Sequence, residues 1–197
     1  MSDSKEDYKG IKEATWEHHK NAERQQFVKV LMSGEIPKDL YATYLYNQQK
    51  MYTTLEYHAR VNGLFEHLPG VERNEAIYKD FVELWDKEEK PILTESTLAY
   101  CNHIENIKDD PEKLMAHIYV RHMGDLSGGQ MISKKVPGAG MMYRFRNPNE
   151  CKRTIREQIK RYYDSYQSNI VMEARLCFDY ATKLFGELYE LSMAKTD

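Results

Sequence analysis

The sequence predicts an all-α fold built as one domain, and three observations predict it. Apolar residues recur at helical spacing along most of the chain, whereas the strict alternation of a half-buried strand is hard to find. Glycine (10) and proline (6) are scarce among 197 residues, so long helices can run uninterrupted. Those that do occur fall mainly between the periodic segments, where helices start and stop. A chain of this length buries one sizeable core. No repeat, low-complexity run or flexible linker divides it, so residues 1–197 read as one domain, frayed at 1–8 and 194–197.

The elements follow in order. A first helix ends at Ser33-Gly34-Glu35-Ile36-Pro37, and Pro37 suits the first turn of a second. Pro69-Gly70 closes that second helix. A third runs to about Lys90, before Pro91, and Thr94 can cap a fourth. Asp110-Pro111 opens a fifth, with Asp as the cap and Pro at the first helical position. Asn147-Pro148-Asn149-Glu150 repeats that grammar for a sixth, and its Glu completes a capping box. Ser168 or Asn169 starts the last helix, which reaches about Met193; Phe178 and Phe185, seven residues apart, share its core face.

Charge and composition exclude several classes. A net charge of −3 gives no general attraction for nucleic acid. No stretch approaches the ~18–20 apolar residues of a membrane span. The polar start, Met1 to Gly10, lacks the apolar region of a signal peptide, and no anchor follows Met193. Cys101, Cys151 and Cys177 are odd in number and far apart, neither a zinc pattern nor a disulfide framework. A soluble, cytoplasmic monomer with reduced thiols, binding neither nucleic acid nor membrane, is the expectation.

One segment breaks helical rules. After Ala116 to Met123 comes Gly124-Asp125-Leu126-Ser127-Gly128-Gly129-Gln130, three glycines inside a helical pattern, each costing roughly 1 kcal/mol relative to Ala. Gly124 and Gly128 lie one turn apart on one face, where bare backbone can meet a flat partner closely, and a bend is plausible there. Asp125 sits about 100° around the helix from Gly124. The same spacing fits two helices packed tightly together, and the residues alone leave both readings open. A phosphate loop is disfavoured, since the spacing is neither GxGxxG nor GxxxxGK[ST] and no strand precedes it.

The first helix carries His18 and His19, which point about 100° apart, so only one faces a given pocket. Glu23, one turn after His19, could accept a hydrogen bond from a ring nitrogen and so orient a metal-binding imidazole. A solvated polar face is equally compatible with these residues. Composition and spacing do not identify a ligand.

Taken together, these segments resemble the heme oxygenase family. The run Gly124 to Gln130 is similar to that family's distal-helix signature in full. Lys12-Glu13-Ala14-Thr15 with His19, Ala22 and Glu23 is similar to its proximal helix, and the pattern of Glu173-Ala174, Phe178, Leu184-Phe185 and Glu187-Leu188 fits its last helix. The likeness spans about Lys12 to Leu191; His18 stands where the family usually has an apolar residue.

The resemblance implies a heme oxygenase-like fold with heme between the first helix and a kinked, glycine-rich distal helix. His19 would be the proximal iron ligand and Glu23 its partner. Gly124, Ser127, Gly128 and Gly129 would line the distal heme face. Asp125 would hold a water network there, supported by Arg121 and Tyr52. Lys12, Tyr119, Lys152 and Arg156 would contact the propionates, and Phe178 the heme edge.

The implied activity is oxidative cleavage of heme b, substrate and cofactor at once, by O2 and electrons from a reduced donor. The products would be biliverdin (the IXα isomer, by family norm), carbon monoxide and Fe2+. A ferredoxin would be the donor and a bilin reductase a downstream partner.

The residues fit a ligand with an apolar body and a charged edge. Ile155, Ile159, Tyr162 and Tyr166 form an expected inward stripe, flanked by Lys152, Arg156 and Lys160. Cations beyond those a propionate pair needs could attract an acidic electron donor; a solvated basic face is the simpler alternative. Three other functions fit the residues less well. A heme carrier or sensor would not need Asp125 together with the three glycines. A helical di-iron oxidase would carry Glu-x-x-His pairs, and the chain has none. A helical interaction module leaves the glycines unexplained.

Overall fold

The computed structural model describes residues 10–194, and its regular structure is helical throughout them. After a helical turn at 10–14 come α1 (Trp16–Glu23), α2 (Gln26–Met32), α3 (Lys38–Val61), α4 (Asn74–Leu84), α5 (Glu95–Asn106), α6 (Pro111–Leu126), α7 (Gly129–Ile132) and α8 (Pro148–Ala194), with short 3-10 turns at Leu64–His67 and Met141–Tyr143. Helix α6 lies along α8, and α3 packs on α4 and α5. Helices α1 and α2 close the other side against α8. Phe27, Leu45, Leu55, Ile104, Ile118 and Ile155 are wholly buried between them. Each such side chain contributes about 1.5–3 kcal/mol of transfer free energy.

Two buried polar side chains on α3 fix its neighbours. Asn47 donates to the carbonyls of Thr43 and Ile92, 2.9 Å each, and accepts from Thr94 N–H (2.9 Å) and Thr97 hydroxyl (2.8 Å). It thereby ties the start of α5 to α3. Glu56 accepts from the backbone N–H groups of Arg73 (2.6 Å) and Asn74 (3.0 Å), the start of α4, and from His122 Nε2 on α6 (2.9 Å). Leaving either group unpaired would cost about 1–3 kcal/mol.

Several expected boundaries hold. Thr94 caps α5, its side chain accepting from Thr97 N–H, and Asp110-Pro111 opens α6, although the Asp110 carboxylate accepts from Lys113 Nζ (3.1 Å) and caps no backbone N–H. Gly63, at φ 72°, takes the left-handed conformation just past α3, which glycine adopts without strain.

Others move. The first helix is cut at Thr15 and again at Arg24-Gln25, and Pro37 stands just before α3. Helix α4 stops at Leu84, short of Lys90, and Trp85 Nε1 donates to Glu89 O (2.9 Å) in the loop beyond. Glu150 pairs with Arg153 (3.3 Å) instead of reaching back as a capping box requires. The sixth and last expected helices meet end to end in α8 across a kink at Tyr166 (φ −130°, ψ 26°), two residues before the expected start at Ser168. Ile155 and Ile159 are buried and Tyr162 half-buried, but Tyr166, at the kink, is 44% exposed, and Tyr163 continues the inward stripe in its place. Ala194 ends α8, while 1–8 and 195–197, expected to fray, lie outside the described residues. The three cysteines are free and buried. Among the described residues no helix is long and apolar enough to cross a membrane.

Candidate functional site

Helix α6 delivers Arg121 and Asp125, one turn apart, to the interior and then breaks. Ser127 leaves helical geometry (φ −114°, ψ −84°), and the chain resumes at Gly128 into α7. The bend therefore falls between the outer glycines. A Cβ on Gly124 would meet nothing within 4 Å, and one on Gly128 would meet only Gly124's own carbonyl oxygen, at 3.7 Å. Both residues and Ser127 are exposed. No helix among the described residues packs on this face, so the glycines leave an open strip of backbone. Gly129 serves another purpose: a Cβ there would collide with the Tyr143 ring. Gln130 Nε2 then binds the carbonyls of both Asp125 (3.2 Å) and Tyr143 (2.7 Å), tying the bend together.

Asp125 is 7% exposed and accepts from the Tyr52 hydroxyl at 2.5 Å. Burial pushes its carboxyl up to about 6, against the pull of His122, Tyr52, Arg121 and Arg73. Burial and the Asp125 charge together hold the Tyr52 phenol well above its usual range. Arg121 is buried too, donating to Gln48 Oε1 (3.0 Å) and lying 4.2 Å over the Tyr100 ring. Its Nε has no hydrogen-bond partner among the described residues. The arrangement can keep a carboxylate acceptor, balanced near its protonation point, beside a bare backbone face.

His19 lies on α1, facing the last helix. Its Nε2 is 2.9 Å from Glu23 Oε1, and its ring lies 5.2 Å from that of Phe178 on α8. His18 points elsewhere, its Nδ1 2.8 Å from Asp179 Oδ1. The adjacent histidines are thus divided between two carboxylates: His18 joins α1 to α8 through Asp179, and His19 pairs with Glu23 within α1.

Comparison with known proteins places this geometry. A family model described as heme oxygenase matches residues 8–187. The chain belongs to the heme oxygenase family. It is 30% identical over 200 residues to a heme oxygenase of Guillardia theta, covering 90% of this chain and 84% of that one. It is 31% identical over 210 residues to heme oxygenase 2 of Rattus norvegicus, and there it spans 64% of the relative's length. Among solved structures, heme oxygenase from Leptospira interrogans superposes with a TM-score of 0.79 at 28% identity, covering 90% of this chain and 97% of that one. Heme oxygenase-1 from the cyanobacterium Synechocystis, solved with heme, shares the fold with a TM-score of 0.84 at 24% identity, covering 95% and 94%.

The remaining heme oxygenase-like positions are spread over three elements. Lys12 is exposed on the turn before α1, and Tyr119 is buried on α6. Lys152 (half-buried) and Arg156 (exposed) lie one turn apart on α8. Sequence reasoning missed Gln48, Tyr100 and Tyr143, which respectively hold Arg121 from below, cover its guanidinium and seat Gly129. A polar Gln48 on the apolar face of α3 was the available signal.

Proposed function

We propose that this chain is a heme oxygenase, cleaving heme with O2 and reducing equivalents to biliverdin, carbon monoxide and Fe2+. The observation that carries the reading is the open backbone strip of Gly124 and Gly128 beside the buried Asp125 carboxylate. A flat apolar ligand can lie against such a strip, and a strip serving helix packing would have been covered. Bound heme supplies both the iron that takes O2 and the macrocycle that is cleaved.

The chain's own residues do the rest. His19 would hold the heme iron, and Glu23, 2.9 Å from its ring, would set the imidazole's tautomer and orientation. Asp125 orients water at the distal face, held in turn by the Tyr52 hydroxyl and by the field of Arg121. Gly124 and Gly128 would admit the ring face closely, and the bend held at Ser127 and Gly129 would limit which meso carbon is open to attack, with the IXα isomer as the expected product. Lys12, Tyr119, Lys152 and Arg156 take the propionates, and Phe178 borders the ring beside His19. The other cations between 144 and 161 receive an acidic donor such as ferredoxin, and the bilin passes to a downstream reductase.

Aerobic turnover of bound heme with a reduced ferredoxin system, with the bilin identified by chromatography, tests this reading. Biliverdin is expected; heme recovered intact would sink it. A His19→Ala protein that kept the full ferric heme spectrum would remove the ligand assignment. Turnover should fall at raised ionic strength with heme affinity unchanged; salt-insensitive turnover would count against the basic docking face.

A further inference from the structure

We propose that His103, His117 and Glu173 form a binding site for a divalent transition-metal ion, separate from the heme face. The three residues come from α5, α6 and α8, and their ligand atoms all lie within 4.8 Å of one another. Glu173 Oε2 is 2.6 Å from His103 Nε2 and 2.8 Å from His117 Nε2. One carboxylate oxygen thus faces two imidazole nitrogens, so three potential donor atoms from three helices converge on one point. Metal–ligand bonds of about 2.0–2.1 Å at tetrahedral angles hold donor atoms about 3.4 Å apart. The cluster reaches that spacing if the carboxylate withdraws by under about 1 Å, each imidazole then carrying its hydrogen on Nδ1 and presenting the Nε2 lone pair to the ion.

The surroundings match what a metal-binding imidazole needs. A ligating histidine has its second ring nitrogen hydrogen-bonded, and the Tyr100 hydroxyl lies 3.1 Å from His117 Nδ1. The Tyr100 ring is in turn held under the Arg121 guanidinium. The His103 ring lies tilted 5.7 Å from that of Tyr180, and its side chain is 20% exposed, which supplies an entry path, while His117 and Glu173 are shut off from water. Two imidazoles and one carboxylate select zinc or ferrous iron over magnesium or calcium, which prefer oxygen donors throughout. His117 precedes Asp125 by eight residues on α6, about 12 Å along the helix axis, so the site does not share ligands with the heme face.

The test is titration of the intact, heme-free chain with Co2+, with Zn2+ by competition and with Fe2+ under anaerobic conditions. One equivalent should bind with release of protons, and the relative affinities for Zn2+ and Fe2+ distinguish the two candidate ions. His103→Ala, at the partly exposed edge, should fold and abolish the saturable step. Tyr100→Phe should weaken it about 10–100-fold. In the wild-type Co2+ form, two exchangeable imidazole resonances should be paramagnetically shifted, and the shielded His117 signal should exchange more slowly. Absence of one-to-one binding, binding unchanged by His103→Ala, or no shifted imidazole resonance would overturn the site. His19→Ala should leave the titration unaltered, so failure of the heme reading and failure of this one are separable.

Discussion

Asp125 near the end of α6 and Glu173 in α8 are both almost wholly buried, at 7% and 2% exposure, yet they titrate in opposite directions. Burial pushes both carboxyls up. At Asp125 one phenol hydroxyl and more distant cations fail to offset it, and the carboxyl rises to about 6. At Glu173 hydrogen bonds from His103 and His117 outweigh it, and the carboxyl falls to about 2. Burial alone therefore does not set the charge state; the number of close donors does. The under-satisfied carboxylate stands beside the open glycine face, where a ligand or water can complete it. The satisfied one sits where three helices meet.

The comparison is sharpened most by Glu173→Gln. Removing the charge from between two imidazoles should destabilise the heme-free protein by about 3–5 kcal/mol, the range for breaking a buried ion pair. Urea unfolding measures this, and a loss under 1 kcal/mol would break the contrast. Asp125→Asn should do the reverse. It should lower biliverdin formation about 10²–10³-fold with heme still bound, and raise the stability of the heme-free protein by roughly 1–3 kcal/mol. Turnover near the wild-type rate would remove Asp125 from the reaction.

The pH dependence carries the same sign. Asp125 has a folded value raised above its ordinary 3.8, so the unfolded chain releases that proton first as pH rises. Stability from this group falls between about pH 4 and 6, by about 3 kcal/mol. Asp125→Asn should flatten that slope. Glu173, whose value is depressed, contributes stability present above its ordinary 4.5 and lost as pH falls toward 2.

The glycines give a smaller pair of effects. Gly129→Ala should cost about 1–3 kcal/mol by overpacking against Tyr143. Gly124→Ala, with open space around its Cβ, should raise heme-free stability by about 1 kcal/mol while weakening heme binding. Tyr52→Phe should cost least, about 1 kcal/mol, and should move the Asp125 titration upward; no movement would mean that Tyr52 does not set it.

Much of this was legible along the chain. Thr94 and Asp110-Pro111 mark helix starts because a capping side chain and a first-turn proline act over three or four positions. The glycine segment and His19 stand out for the same reason, since each is a pattern within one helix. The α8 kink falls two residues before the expected break at Ser168, whereas the early end of α4 was not legible, because it depends on what the helix packs against. Gln48, Tyr100 and Tyr143 were invisible as site residues, lying on other elements than the residues they hold.

By itself, then, the sequence determined the all-α class, most helix starts, and which short segments depart from ordinary helical composition, since propensity and periodicity act over a few residues. Only the tertiary structure decided that Gly124 and Gly128 are open while Gly129 is filled. It alone paired His18 with Asp179 of α8, and it alone brought His103, His117 and Glu173 to one point. These outcomes depend on side chains from helices far apart in sequence, whose distances no local spacing encodes.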